Sequence, residues 1–173
     1  MNKKSSTDFV SQLCPQCGLC CNGVLFADVE LRKGDAARRL EKLGLSLVKK
    51  GRQPAFAQPC ACFDGQWCRI YADRPVRCRT FECGLLKRAQ AGKKTEKAAL
   101  KTIAEARRRV DQVRRRLRQL GQKDEQLALI NRYIQAMSEP IDLSGGAGAA
   151  DARGKLMMAY EDLMQLLQRD FLE

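Results

Sequence analysis

The sequence predicts a mainly α protein, with a small irregular cysteine-rich head containing a short β-hairpin and an antiparallel helical tail. Three observations carry this expectation. All nine cysteines of the 173 residues fall between Cys14 and Cys83. Beyond them, apolar residues recur at heptad spacing over long runs. Among them, Asp64-Gly65 separates two short segments and marks a two-residue hairpin turn. The composition shift divides the chain into a head, residues 1–90, and a tail, residues 91–173.

In the head, Cys14, Cys17, Cys20 and Cys21 are expected in a loop with Pro15, Gly18 and Gly23. Val24-Leu25-Phe26 reads as a short extended segment. Asp35 is placed to cap a helix running to Leu43 and stopped by Gly44, with Ala36, Leu40 and Leu43 facing inward. Segments 54–63 and 66–71 flank the Asp64-Gly65 turn. Tyr71 to Pro75 reads as a turn in which Asp73 caps a short helix ending near Thr80. A second short helix is expected from Cys83 to Ala89.

The tail is more regular. A helix is expected over 93–120, with Ile103, Val110 and Leu117 in one series and Ala99, Ala106, Val113 and Leu120 in its companion. Gly121 stops it. Asp124 is placed to cap a helix over 125–138 with Leu127, Ile130, Ile134 and Met137 on one side, ended by Pro140. Ser144-Gly145-Gly146-Ala147-Gly148 reads as a linker. A last helix over 151–171 carries Leu156, Tyr160, Leu163, Leu167 and Phe171 on one face. Such stripes are buried by an antiparallel bundle or by self-association with a protein partner.

Composition narrows the function. The N-terminal residues carry charge but no apolar run, which argues against a secretory signal, and no stretch reaches the length of a membrane span. The expectation is a cytoplasmic protein without a membrane partner. In a reducing compartment nine cysteines do not form a disulfide framework, and the odd count argues the same way. Histidine is absent from the chain. A cysteine-centred site must therefore be completed by thiolates, or secondarily by carboxylates or water, and an all-thiolate set suits zinc or an iron–sulfur cluster.

Cys14-x-x-Cys17-x-x-Cys20-Cys21 is the first half of the pattern. A two-residue gap lets two thiolates reach one ion from a tight turn. Adjacent Cys20 and Cys21 diverge, so one of them is expected at a second metal or a second iron. The other half is Cys60, Cys62, Cys68, Cys78 and Cys83, with Cys60 and Cys68 brought together by the hairpin. Each half is able to supply one site, or the halves share sites; spacing leaves the pairing open. Eight thiolates suffice for two four-thiolate centres, and Cys62 is the expected spare. Arg74 and Arg79 are expected to offset thiolate charge, whereas Arg69 and Arg77 read equally as surface arginines.

Two stretches carry a family resemblance: Cys14-Pro15-Gln16-Cys17-Gly18-Leu19-Cys20-Cys21, and Cys60 followed by Cys68-Arg69-Ile70-Tyr71-Ala72-Asp73-Arg74-Pro75-Val76-Arg77-Cys78-Arg79-Thr80-Phe81. They resemble the CxxCxxCC family of zinc- or iron-chelating proteins, the YkgJ-type cysteine-cluster proteins. The resemblance implies metal ligation by Cys14, Cys17, Cys20, Cys21, Cys60, Cys68 and Cys78, and extends to Cys83. Cys62 lies outside the pattern. The family is also similar to flagellin lysine N-methylases. Gly145 to Gly148 follows no clear strand and reads as linker, not as a cofactor loop.

Three functions compete on this reading. The first is a metal-binding protein whose ions organise the head. The second is an iron–sulfur enzyme, either redox-active or acting on protein lysines like an N-methylase; Tyr71, Asp73 and Glu82 are the polar residues nearest the cysteines, and they read first as packing and capping groups. The third is nucleic-acid binding by the basic tail helix, in keeping with a net charge of +12. A solvated outer helix face is the favoured explanation of that charge. Buried free thiols and a thiol–disulfide redox motif are the remaining explanations of the cysteines.

Overall fold

The computed structural model describes residues 3–140 and 148–173. It divides into two compact units: residues up to Glu82 together with Glu125–Ala128, and Cys83–Asp124 together with Leu129–Glu173.

The first unit opens with helix α1 (Lys3–Cys17). Cys14 and Cys17 were expected in a loop and instead lie on its last turn. Pro15 removes one backbone donor, and so near the end of the helix the remaining hydrogen bonds carry the turn. A three-stranded antiparallel sheet follows, β1 (Asp28–Glu30), β2 (Leu47–Lys50) and β3 (Gln53–Ala57), in the order β1-β3-β2. Val29 and Leu47 both pair with Phe56, so these three side chains share one face. The extended segment thus starts at Asp28, not at Val24.

The regular hairpin is β2–β3, turning at Gly51 with φ +60°. Sequence reasoning missed it because β2 is an edge strand whose Lys49 and Lys50 break the apolar alternation. The expected hairpin at Asp64-Gly65 is a tight turn closed by one bridge, Phe63 to Cys68.

Helix α2 (Ala37–Lys42) lies between β1 and β2. Leu40 is its buried residue and Ala37 packs beside it, while Ala36 and Leu43, both expected inside, are exposed. A single 3₁₀ turn, Tyr71–Asp73, leads into helix α3 (Val76–Thr80). Val29, Leu31, Leu40, Leu45, Phe56, Cys62 and Ile70 form the core, with Cys60, Cys68 and Cys78 packed against it. Phe26 meets Phe81 edge to face at 5.0 Å.

The second unit holds α4 (Gly84–Gln90), α5 (Glu96–Gln119), α6 (Leu129–Ser138) and α7 (Gly148–Leu167), which closes in a π-type turn, Gln168–Leu172. Thr95 caps α5 by accepting from the Ala98 N–H at 3.3 Å. Gly121, at φ +84°, ends it. The heptad series is the buried face: Ala99, Ile103, Ala106, Val110, Val113 and Leu117 are all inside, with Leu120 half-buried at the C-cap. They pack on α7, whose Leu156, Leu163, Leu167 and the following Phe171 are buried as the periodicity required.

Helix α6 departs from expectation. It starts at Leu129, and its buried residues are Leu129, Arg132 and Ala136; Ile134, expected inside, is half exposed. Buried Arg132 donates to the Gln122 carbonyl at 2.6 Å. That long side chain displaces the expected apolar stripe, while Tyr133 stacks on Tyr160 at 3.9 Å. Of the expected linker, Ser144 to Ala147 lies outside the described residues. Part of the basic charge of α5 is used internally: Arg108 and Arg109 both bind Glu105, holding its carboxyl down at about 2. No helix among the described residues is long and apolar enough to cross a membrane.

Candidate metal centre

The first cysteine segment turns sharply at its middle. Gly18 adopts φ +67°, which only glycine takes without strain, and donates to the Cys14 carbonyl at 3.1 Å. A Cβ at this position would lie 2.7 Å from Phe63 Cζ. The Gly18 carbonyl then accepts from Cys21 and Asn22, winding the chain so that Cys20 and Cys21 share a single turn. Cys14 is exposed, and Cys17, Cys20 and Cys21 are half-buried.

The second segment joins the first through backbone: the Cys60 N–H donates to the Cys21 carbonyl at 2.8 Å. From Cys60 the chain makes a compact loop. The Asp64 carboxylate accepts from Gln66 and Trp67 N–H groups, which hold its carboxyl below the usual range. Arg69 N–H donates to the Cys62 carbonyl and its guanidinium to the Ala61 carbonyl. Arg69 therefore braces the consecutive carbonyls of Ala61 and Cys62, a role that sequence reasoning left undecided. Cys60 and Cys68 thus come close, as expected, but by a braced loop and not by paired strands.

Cys78 arrives on α3. Pro75 precedes that helix, and Val76 N–H donates at 2.8 Å to Asp35 Oδ1. Arg74 lies over the Tyr71 ring, 3.5 Å from its centroid, and donates to the Tyr71 carbonyl. Asp73, expected to cap α3, instead pairs with Arg39. Arg79, expected to offset thiolate charge, is exposed.

Four thiols feel one another's charge. Burial pushes Cys21 up to about 12; Cys60, Cys78 and Cys68 add to the rise, and the Arg74 guanidinium opposes it. Burial also pushes Cys60 to about 11, where the Cys62 backbone N–H opposes the rise while the Cys62 and Cys68 sulfurs add to it, and pushes Cys78 to about 11, where Cys60 and Cys68 add to it. Desolvation disfavours the bare thiolate, and the neighbouring sulfurs disfavour it further. At neutral pH Cys21, Cys60 and Cys78 are therefore thiols, and a cation in their midst would reverse that balance.

Among the described residues, no group of three or more Cys, Asp or Glu side chains stands close enough together to hold a metal ion as they are placed. The donor chemistry nevertheless fits zinc or iron. The set is all sulfur, it sits against a hydrophobic core, and Arg74 supplies positive charge beside it.

Cys62 stands apart. It is fully buried in the core, and its Sγ lies 3.5 Å from the Leu43 carbonyl. Cys83 opens the second unit, where its Sγ caps α4 by accepting from Leu86 N–H at 3.4 Å. Asp35 was read only as a cap for α2. The first turn of α2 has no side-chain cap, and no local signal ties Asp35 to Val76.

Together these features define a small α-rich protein carrying a thiol cluster of the metal-chelating class. Residues 13–114, more than half of the chain, match the CxxCxxCC family model, described as "Putative zinc- or iron-chelating domain", and the chain belongs to that family. No curated protein and no solved structure matches the chain.

Proposed function

We propose that this protein holds zinc, or iron in an iron–sulfur cluster, with Cys21, Cys60, Cys68 and Cys78 as its central ligands. The observation that carries the reading is geometric: the Cys60 N–H bonds the Cys21 carbonyl, and Cys60, Cys68 and Cys78, from segments far apart in sequence, pack against one core. Cys14, Cys17 and Cys20, on the turn leading into Cys21, extend the donor set towards a second ion or the further irons of a cluster.

In this reading the ion also stabilises the first unit. Its hydrophobic core is small, and thiolate–metal bonds crosslink the first cysteine turn, the braced loop and α3. Anaerobic purification followed by metal analysis and an absorption spectrum tests it. Bound zinc without colour, or iron with thiolate-to-iron charge-transfer bands, is the expected result. Single Cys→Ser variants at 21, 60, 68 and 78 should each lose bound metal, and C62S should retain it. The C83S variant in the same series decides whether Cys83 contributes. Protein free of metal after anaerobic purification, and unable to take up either ion, overturns the reading.

A further inference from the structure

The helix that carries Cys78 does not hold itself in place. Helix α3 spans five residues, and its N-cap is Pro75, which has no side-chain acceptor to offer. Isolated helices of this length are unstable, and their first N–H groups need partners from outside.

Asp35 provides that partner from 41 residues away: its Oδ1 accepts from Val76 N–H at 2.8 Å. The other oxygen, Oδ2, accepts from Arg32 N–H at 2.7 Å, which fixes the carboxylate itself. The carboxylate therefore faces the positive end of α3 rather than its own neighbour α2, and a charged acceptor strengthens the bond. A polar tie between these segments, Arg39 to Asp73, has side chains 67% and 37% exposed and is a weak anchor by comparison.

We infer that Asp35 is a positioning residue for the metal centre: by fixing the start of α3 it aims Cys78 at Cys21, Cys60 and Cys68. This rests on the ligand set proposed above. The consequence is specific. Removing the acceptor loosens one of four ligands and leaves the other three where they were. Removing the donor at Val76 does the same from the other side. Proline is tolerated at the first position of a helix, and Pro75 already has the extended backbone, φ −51° and ψ 152°, that a following proline requires.

The test uses the full chain under anaerobic conditions, with zinc competed against a chromophoric chelator and cobalt as the optical probe. D35A is expected to weaken zinc binding by about tenfold or more, and to dim the thiolate-to-cobalt band by the share of one ligand. D35N keeps an oxygen acceptor and should stay within about threefold of the parent protein. V76P should reproduce D35A, and D35A/V76P should lose no more than either alone. R39A should bind as the parent does.

Parent-like affinity and band intensity in D35A overturn the inference. So do equal losses in D35A and D35N, because asparagine keeps the oxygen acceptor. A readout without metal separates this inference from the ligand assignment: alkylation of Cys78 relative to Cys60, followed by mass spectrometry. If the parent protein binds no metal, the ligand assignment falls. Asp35 is then judged by alkylation alone: a selective rise at Cys78 in D35A supports its positioning role, and an unchanged ratio overturns it.

Discussion

Metal uptake by the quartet should expel at least three protons at neutral pH, and the structure sets how far up the pH scale this continues. The ligand form of cysteine is the thiolate. Cys21 at about 12, and Cys60 and Cys78 at about 11, are all protonated at pH 7 in the metal-free protein. Each gives up one proton when it binds, so apparent affinity should climb by about three logarithmic units per pH unit, roughly a thousandfold. Thiols at the ordinary value of 9.0 would show the same slope at neutral pH but would flatten near 9. Burial and mutual repulsion keep these thiols protonated higher, so the steep rise should persist to about pH 10. Chelator competition across that range gives the slope, and calorimetry in two buffers of different ionisation enthalpy counts the protons. C21S should lower the count by one. A slope of about one, or a plateau reached at pH 9, would refute the argument that these buried thiols are the ligands.

Other outcomes follow from the same geometry. Without metal, the raised thiol values favour the folded state through their protonated forms. That stability is complete below 9.0 and should be lost as pH rises through about 11 to 12, read as a falling unfolding midpoint. C62A should retain bound metal while lowering stability by about 1–2 kcal/mol in denaturant titration, because Cys62 fills core and is not proposed as a ligand. G18A should cost at least about 1 kcal/mol and reduce metal uptake, because a positive φ and a clash with Phe63 both oppose the new methyl. I103A empties a fully packed site on α5 and should cost about 2–5 kcal/mol, measured by circular dichroism.

The helical tail was largely legible from sequence. The α5 stripe from Ala99 to Leu117 is the buried face, because heptad spacing on one long helix is a local property that survives folding. Helix α6 was misread at its start and on its face. A buried arginine, held by the Gln122 carbonyl, has no signature in a hydrophobic pattern. In the head, Pro15 and the clustered cysteines pointed to a loop, yet α1 runs on to Cys17. The edge strand β2 hid the regular hairpin behind two lysines.

Sequence by itself determined the chemistry available here: sulfur donors in quantity, no imidazole, two cysteine-bearing stretches, and helices with one apolar face each. Residue type and periodicity are written locally, so they can be read without the fold. Tertiary structure decided that Cys60, Cys68 and Cys78 pack against one core, that Cys62 lies within it, and that Asp35 serves a helix other than its neighbour. Those facts depend on residues far apart in the chain meeting in space, and only packing and backbone pairing set such meetings.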